Sequence, residues 1–474
     1  MNEQIMNTEK KYKKLAINSI LFAIGNLGSK LISFLMLPLY TYTLSKSEFG
    51  LTDLFITSIS LLLPIFSLSV YDAVLRFGMD DKYHEIHILS NGFFITLMGA
   101  TVTIIFLPIL YLFDISYLCY FYVSLVVQMF QMLLAQYAKA TNRINIFALN
   151  GIILSFLTAT FNILFLVVLK KGVSGFFLSI ILANIISNFW LSIKLRIWLK
   201  LKLKEININT IKEMLSFSLP LIPNSIAIWI SNVANRYFIL FFWGSALNGI
   251  FAVANKIPTL LSVMNSIFFQ SWQISVIEEY ENNDRDDFTA SVFSMYFKFL
   301  IISTSVLLVF LKPMMKFIVS NNFYIAWKFV PILLLSVIYS SLSGFLGTNY
   351  IAAKKTKHLF ITTIIGATTN IFFNIILIPK FGLYGASFSS AFSFLVTLII
   401  RIIDSKKFFE LQLNYKVVFY SHIILFIQIA MLNLFDSIIP LLICLLAIAI
   451  INKELIFIFW KNIKKLAIKL KRKT

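Results

Sequence analysis

Apolar runs of about 20 residues recur along almost the whole chain, and they limit the possible folds more than any other feature. A helix of that length crosses the hydrocarbon core of a bilayer, because each residue advances the helix by about 1.5 Å. Hydrophobic residues make up 59% of the sequence and charged residues 13%. A water-soluble protein of this size could not bury so many apolar side chains. The sequence therefore predicts an all-α polytopic membrane protein.

The apolar runs divide into about 14 predicted transmembrane helices. The first follows a cluster of lysines and lacks a small-residue cleavage site, so we expect it to be retained and not cleaved as a signal peptide. The last is the weakest, because Asn452, Lys453 and Glu454 interrupt it. The predicted spans are 15–43, 51–75, 88–113, 115–138, 146–169, 173–199, 213–243, 249–275, 288–311, 328–352, 358–378, 383–403, 415–434 and 437–459.

The positive charges are distributed unevenly between the two sides of the membrane. The chain has 41 Lys and Arg residues and a net charge of +20, and most of these cations lie in alternate loops between the predicted spans. Loops rich in Lys and Arg stay in the cytoplasm, so we predict that both termini are cytoplasmic. The basic tail at 461–473 is expected to lie against anionic membrane lipids. Because the cations follow the topology, we expect no nucleic-acid partner. The opposite side receives Lys46, Lys170, Lys171, Lys312, Lys316, Lys328 and Lys380.

Two pairs of segments repeat between the halves of the chain. FNILFLVVLKKGVSGFF (161–177) and FNIILIPKFGLYGASF (373–388) share FNI, an apolar run, a lysine, and a G-x-x-G that opens the next span. SEFGLTDLF (47–55) and ALNGIFAVA (246–254) each have a glycine at the start of a span. Six predicted spans separate the copies, so they run in the same direction, as in the parallel repeats of transporters. Chance similarity of short Gly-containing loops is the alternative.

Polar side chains recur every three or four residues along four predicted spans. In lipid, such side chains must face protein or water. Under the repeat, spans one and two correspond to spans seven and eight, so the four stripes form a two-fold-related set. We interpret them as the lining of a water-filled cavity, and hydrogen bonding between packed helices is the alternative. The candidate substrate-binding residues are Asn26 and Lys30 in span one, Asn232 and Arg236 in span seven, and Asn255, Lys256 and Gln270 in span eight.

The deepest ionisable residues in the spans are mostly cationic. Lys30, Arg236 and Lys256 lie inside the apolar runs. A charge at mid-membrane on a lipid-facing helix costs about 2.5–3.5 kcal/mol, so we predict that these three residues bind an anionic substrate. Snorkelling of the side chain to the membrane surface is the alternative for Arg236. The membrane carboxylates Asp53 and Asp72 are candidates for coupling transport to a cation.

Four segments resemble bacterial polysaccharide-unit (Wzx-type) flippases of the multidrug/oligosaccharidyl-lipid/polysaccharide (MOP) exporter superfamily. They are LPLYTYTLSKSEFGLTDLF (37–55), SVYDAVLRF (69–77), PNSIAIWISNVANRYFIL (223–240) and FGLYGASF (381–388). The resemblance covers residues 15–405. The same superfamily holds multidrug antiporters and lipid II flippases.

The resemblance implies two pseudo-symmetric six-helix lobes around a V-shaped central cavity, followed by two additional helices. In this sequence the lobes would be residues 1–205 and 206–410, with the additional helices and a basic cytoplasmic tail in 411–474. Arg76 matches the arginine that closes the second span in the family, which makes it another candidate for substrate binding. The triplet from Asn235 to Tyr237 matches a segment that often reads Asp-Arg-Tyr. Because Asn replaces the acid here, the resemblance predicts a less compensated charge on Arg236.

The resemblance also implies a function. Such a flippase carries an undecaprenyl-diphosphate-linked oligosaccharide from the inner to the outer leaflet of the bacterial cytoplasmic membrane by alternating access, for synthesis of capsule, exopolysaccharide or O-antigen. Polymerases and glycosyltransferases of the same pathway would be partners. A cation-coupled multidrug (MATE-like) antiporter is the second hypothesis, although a cationic cavity suits a diphosphate better than an organic cation. A lipid II or teichoic-acid-type flippase is the third.

An enzyme is the alternative from a different class. A membrane glycosyltransferase or polymerase needs carboxylates for acid–base catalysis or a substantial outer loop, and the sequence offers neither. GNLGSK (25–30) lacks the spacing of a P-loop. MDDKYHEIH (79–87) has metal-ligand residue types, but we interpret it as a solvated loop. Cys119 and Cys444 lie in separate spans. We therefore expect no enzymatic activity, no metal and no cofactor.

Overall fold

The computed structural model describes residues 32, 34–80, 82–111, 117–278, 285–353, 355–407, 414–455 and 457. Within these residues the regular structure is helical, and no strand occurs. Backbone contacts divide the chain into two compact units, Met1–Ala252 and Val253–Thr474. The lobe boundaries at 205 and 410 that the resemblance implies stay a prediction.

The helices of the first unit follow the apolar runs of the sequence, and some of the runs contain more than one helix. In chain order they are α1 Leu37–Thr43, α2 Lys46–Phe66, α3 Val70–Gly78, α4 Glu85–Tyr111, α5 Leu118–Ala140, α6 Ile144–Asn162, α7 Gly172–Leu195, α8 Ile197–Lys200, α9 Ile208–Ser218, α10 Leu221–Val233 and α11 Asn235–Trp243. A π-helical segment, Ile163–Val168, continues α6, and a short 3-10 helix, Leu203–Glu205, precedes α9.

The second unit contains fewer but longer helices. α12, Ser245–Glu278, begins in the first unit and continues in the second. The helices that follow are α13 Arg285–Ile318, α14 Val330–Ala352, α15 Thr356–Ser405, α16 Tyr415–Leu434 and α17 Ile439–Ile451, with a 3-10 helix at Asn321–Lys328.

Eleven helical segments in the described part of the chain are long and apolar enough to cross a membrane. They coincide with the twelve predicted spans two to thirteen. The numbers differ by one since α15 contains two of these spans, one on either side of Gly382. The last predicted span corresponds to the shorter apolar helix α17. Most of the first predicted span lies outside the described residues. The prediction of an all-α polytopic membrane protein is confirmed.

The seventh predicted span is broken twice, into α9, α10 and α11. The first break falls at Pro220, which has no amide hydrogen and whose ring collides with the carbonyl one turn earlier. At the second break, the Tyr237 amide donates to the Ala234 carbonyl over 3.0 Å, a tightened three-residue turn. The middle piece, α10, is therefore a helix of 13 residues between these two positions.

The two G-x-x-G repeats share two backbone features. Gly172 has a φ of 54° and Gly382 a φ of 56°, in the left-handed region that glycine adopts without a steric penalty. Three residues later, a Cβ on Gly175 would lie 3.1 Å from a carbonyl oxygen of the preceding span, and a Cβ on Gly385 would lie 2.2 Å from one. The shared backbone geometry supports an internal duplication and not a chance similarity of loops.

α2 and the first turns of α12 cross at two glycines within the first unit. A Cβ on Gly50 would lie 2.0 Å from the carbonyl oxygen of Ser245, and a Cβ on Gly249 would lie 2.0 Å from that of Lys46. Each glycine thus covers the carbonyl four residues before the other glycine. Asn248 Nδ2 also donates to the Gly50 carbonyl over 3.0 Å. We call this contact the glycine crossing, and it requires a hydrogen atom as the side chain at both positions.

The polar segment before α9 is ordered by side chains of α4. Asn91, which is fully buried, accepts from the Asn207 amide over 2.9 Å and donates to the Glu205 carbonyl over 3.2 Å. Ser90 Oγ accepts from the Lys202 amide over 3.1 Å. Paired backbone groups of this kind hold a connection in one conformation. These hydrogen bonds therefore fix the start of the seventh span against α4.

Candidate functional site

Arg236 and Asp53 form an ion pair within the first unit. Arg236 Nε donates to Asp53 Oδ2 over 2.5 Å, across 183 positions of sequence. The two side chains are 14% and 11% exposed, so both charges are largely shielded from the surroundings. A shielded charge needs an opposite charge nearby, because an isolated one is far less stable in a membrane span. The pair gives the Arg236 guanidinium a counter-ion inside the span.

The N-terminal cap of α2 fixes the position of Asp53. Ser45 Oγ accepts from the Glu48 amide over 3.2 Å, and Glu48 Oε2 accepts from the Ser45 amide over 2.8 Å. This reciprocal capping box satisfies two amide groups that a helix start leaves without partners. With the first turn fixed, Asp53, Thr57 and Ser60 follow at spacings of four and three residues and share one face of α2.

Trp229 extends this contact along α2. Its Nε1 donates to the Thr57 carbonyl over 2.9 Å and to Ser60 Oγ over 3.2 Å. Trp229 lies seven residues before Arg236, and Ser60 lies seven residues after Asp53. The equal spacing in opposite chain directions shows that the two spans are antiparallel and in register. We call the row of hydrogen bonds from Arg236–Asp53 to Trp229–Ser60 the polar seam.

Tyr237 adds an aromatic ring to the polar seam. Its hydroxyl lies 2.5 Å from Ser58 Oγ, and the Tyr237 and Trp229 ring centroids are 5.3 Å apart with an angle of 56° between the planes. Both side chains are half-buried. Two rings tilted in this way form a corner, since neither covers the face of the other completely. We call Trp229 and Tyr237 the aromatic corner.

Part of the predicted polar stripe bonds between helices, and part of it is exposed. The polar side chains of α2 and Arg236 form hydrogen bonds between packed helices in the polar seam. For these residues, helix packing and not the lining of a water-filled cavity explains the polar stripe. On α10, however, the predicted residue Asn232 is exposed, and Asn224 and Ile228, which were not predicted, are exposed at intervals of four residues before it. Asn232 Nδ2 donates to the Ile228 carbonyl over 2.8 Å. Exposed amides within a span require water or a polar ligand.

The inference that Arg236 is poorly compensated is wrong. Asn235, which stands where the family often has an aspartate, is 2% exposed. The acidic partner instead comes from Asp53 on α2. A triplet read along one helix cannot reveal a partner on another helix, and this is why the sequence argument failed.

Two of the remaining predicted residues lie on α12. Asn255 and Lys256 are half-buried, and Thr259 one turn later is exposed. Thr259 Oγ1 donates to the Asn255 carbonyl over 2.8 Å. This polar face of α12 therefore lies at the surface of the second unit and not in its core. Asn26 and Lys30 lie outside the described residues, as does the side chain of Gln270.

Asp72 and Arg76 both lie on α3, at and just beyond the end of the second predicted span. The Arg76 side chain is 61% exposed and approaches Asp80 at 3.8 Å. Asp72 is half-buried one turn before it. An exposed pair of this kind contributes little to stability, so Arg76 is available to a ligand at low energetic cost. Among the described residues, no group of three or more His, Cys, Asp or Glu could hold a metal ion.

Arg401 in the second unit was not recognised in the sequence. It is 6% exposed and donates through Nε to Thr362 Oγ1 at 3.0 Å, and through Nη2 to Thr363 Oγ1 at 2.9 Å. Its Nη1 donates to the Ser343 carbonyl at 2.7 Å. Its position near the end of a span concealed its burial, because arginines there commonly reach the interface. Hydroxyl and carbonyl oxygens fix this arginine between α14 and α15.

Two further ionisable groups of the second unit are paired locally. Asp404, the penultimate residue of α15, accepts from the Tyr350 hydroxyl over 3.0 Å and lies 2.9 Å from His358 Nδ1. Lys298, which is 8% exposed, forms an ion pair with Glu454 after α17. Both sets of contacts connect helices within the unit and therefore support its packing.

The long apolar helices and the ion pair inside them define a multi-pass membrane protein. A family model described as "Polysaccharide biosynthesis protein" matches residues 15–274, which is more than half of the chain. The chain belongs to this family of polysaccharide biosynthesis proteins. No curated protein matches the sequence.

Solved structures with the same fold are transport proteins. The lipid II flippase MurJ in an inward closed conformation has a TM-score of 0.71 and 16% identity, over 94% of this chain and 99% of that one. A MATE-family multidrug resistance transporter of the MOP superfamily, inward-facing, has a TM-score of 0.68 and 14% identity, over 88% and 100%. A Vibrio cholerae MATE transporter, VcmN, has a TM-score of 0.59 and 12% identity, over 85% and 98%. The fold is that of MOP-superfamily flippases and transporters, whose members in this comparison are not enzymes.

Proposed function

We propose that the protein moves an undecaprenyl-diphosphate-linked oligosaccharide from the inner to the outer leaflet of the bacterial cytoplasmic membrane. The movement occurs by alternating access and supplies the synthesis of a surface polysaccharide such as capsule, exopolysaccharide or O-antigen. The observation that carries the proposal is the shielded Arg236–Asp53 pair beside the exposed amides of α10. The family of polysaccharide biosynthesis proteins supports the substrate class.

Arg236 has the donors that a diphosphate requires. Its Nε bonds to Asp53, and no described residue accepts from its two Nη groups. A guanidinium has five N–H donors in a planar fork and can bind phosphate oxygens with two parallel bonds. Asp53 aligns the fork and stabilises the charge while no substrate is bound. A diphosphate with two formal charges then competes with one carboxylate for the same cation.

The other candidate residues have secondary roles in this proposal. Lys30 and Lys256 contribute further positive charge, Arg76 attracts the diphosphate from the cytoplasmic leaflet, and Asp53 and Asp72 are the carboxylates available for coupling to a cation. Both termini lie in the cytoplasm, where glycosyltransferases complete the substrate, and a polymerase consumes it on the outer side. The sugar hydroxyls meet the amide side chains Asn26, Asn232, Asn255 and Gln270.

The proposal is tested with purified protein in proteoliposomes. The expected result is transfer of an undecaprenyl-diphosphate-linked oligosaccharide between leaflets, detected by accessibility of its sugars to an external lectin. Lipid II and a fluorescent organic cation are assayed in parallel, in vesicles with an imposed proton or sodium gradient. Gradient-driven transport of the organic cation without transfer of the lipid would assign the protein to multidrug antiport. Transfer of lipid II alone would assign it to peptidoglycan precursor transport.

A further inference from the structure

We propose that the aromatic corner, Trp229 and Tyr237, is a sugar-binding subsite that stacks the pyranose rings nearest the diphosphate. This inference rests on the proposed function and adds a specificity site to it. The charged pair would recognise the diphosphate that all such substrates share. The aromatic corner would distinguish a lipid that carries its glycan from one that does not.

The location of Trp229 points to a ligand. Ser225, Trp229, Asn232 and Arg236 follow one another at spacings of four, three and four residues, so they share one helical face across the break at Ala234. Trp residues of membrane proteins concentrate at the interfaces, whereas Trp229 lies inside a span between polar neighbours. The spacing of seven positions from Trp229 to Arg236 corresponds to about 10 Å along a helix, a distance that sugars attached to a bound diphosphate can reach.

The rings are held in fixed orientations by their own polar atoms. The Trp229 indole N–H is occupied by the Thr57 carbonyl and Ser60 Oγ, and the Tyr237 hydroxyl is occupied by Ser58. Each polar atom therefore points towards α2, and the half-buried ring surfaces remain for contact. A ring that is already oriented loses little conformational entropy when a ligand binds.

The chemistry of an aromatic face suits a sugar ring. The π-face carries a partial negative charge, which attracts the polarised C–H groups on the flat side of a pyranose. Apolar lipid chains gain no comparable directional contact. Ser225 Oγ donates to the Leu221 carbonyl and Asn232 Nδ2 to the Ile228 carbonyl, so their oxygens can accept hydrogen bonds from the hydroxyl groups at the ring edge. A corner with an aromatic face and a polar edge matches the two kinds of surface that a sugar presents.

The experiment compares two lipids and a matched set of variants in nanodiscs. The probes are undecaprenyl diphosphate and undecaprenyl diphosphate bearing one N-acetylhexosamine, with affinity measured by thermophoresis. We expect Trp229→Leu to weaken binding of the glycosylated lipid about tenfold, while binding of the sugar-free lipid changes less than about twofold. Trp229→Phe, which keeps a ring but loses the indole N–H, should retain most of the preference. Trp198→Leu, at an exposed tryptophan on α8, is the control and should change neither affinity.

The outcomes separate the subsite from the proposed function. If Trp229→Leu weakens the binding of both lipids equally, or of neither, the aromatic corner is not a sugar-binding subsite. The flippase proposal still stands in that case. A wild-type protein that binds neither lipid overturns both. If Trp229→Leu does not yield folded protein, Tyr237→Leu is compared with Tyr237→Phe under the same criteria, and selective loss of the glycosylated lipid in Tyr237→Leu is then the required result.

Discussion

Arg236 and Asp53 are ion-pair partners at 2.5 Å although they belong to the seventh and second predicted spans. Removing one partner leaves the other charge shielded and without compensation. We therefore expect Asp53→Asn to lower the free energy of unfolding by on the order of 3 kcal/mol. The double variant Asp53→Asn/Arg236→Gln should recover part of that loss, because no isolated charge remains. Thermal unfolding in detergent measures both, and additive effects of the two substitutions would contradict the pairing.

Transport should depend on the charge and the shape of the Arg236 side chain. Charge-assisted hydrogen bonds contribute about 1.5–3 kcal/mol each, so Arg236→Gln should reduce glycolipid transfer tenfold or more. Arg236→Lys should restore part of the activity, since it keeps a charge but not the planar fork. Transfer is measured in proteoliposomes with equal amounts of folded protein. Normal transfer by Arg236→Gln would remove Arg236 from the substrate site.

The membrane potential should assist export. A diphosphate with about two negative charges gains roughly 2.3 kcal/mol per charge per 100 mV when it moves outward from a negative interior. Vesicles with an imposed potassium diffusion potential should therefore transfer the glycolipid faster than vesicles whose potential is abolished by valinomycin at equal potassium. An unchanged rate would mean that a co-transported cation neutralises the moving charge, or that transfer is not electrogenic.

The topology predicts which residues can be labelled from outside the cell. Cys119 is exposed and Cys444 buried, so both are first replaced by Ser and Ala, respectively. Single cysteines at Lys46 and at Lys380 should then react with an impermeant maleimide in intact cells. A cysteine at Lys355 should react after permeabilisation alone. The reverse pattern would invert the orientation and place both termini outside.

The glycine crossing should not tolerate a methyl group. Gly50→Ala places a Cβ 2.0 Å from the Ser245 carbonyl oxygen, closer than two atoms can approach, so the helices must separate. We expect a loss of at least 1 kcal/mol in the free energy of unfolding and a similar loss for Gly249→Ala. Ser47→Ala is the control, since it removes a hydroxyl that lies 2.6 Å from Ser245 Oγ without adding bulk. Equal stability of Gly50→Ala and Ser47→Ala would mean that the close approach is not maintained in the membrane.

The helices could be predicted because the bilayer imposes one length and one polarity on every span. Hydropathy alone located spans two to thirteen, and the second G-x-x-G marked the break at Gly382 inside α15. The breaks at Pro220 and Ala234 were not predicted, since short helices that continue one another leave the apolar run intact. Local sequence therefore defines where the chain enters and leaves the membrane, but not how a span bends inside it.

The site was predicted only in part, because its contacts are made between distant segments. Arg236 and Asp53 were each identified by their charge in an apolar run, while their pairing depends on the register of two helices. Trp229 was missed because an aromatic residue in a span looks like part of the apolar surface. Its contact with α2 is recognised only from the hydrogen bonds of its indole N–H.

The glycine crossing also has a consequence for the ancestry of the fold. The contacts between α2 and α12 are reciprocal. Gly50 packs on the Ser245 carbonyl, and Gly249 packs on the Lys46 carbonyl in the same way. Reciprocity of this kind defines an isologous contact, the type that two identical subunits make around a two-fold axis. A chain with a single copy of the repeat could form the same contact with a second molecule of itself. Gene fusion would have preserved that contact within one polypeptide, and since then each glycine has been constrained by the backbone of the other repeat.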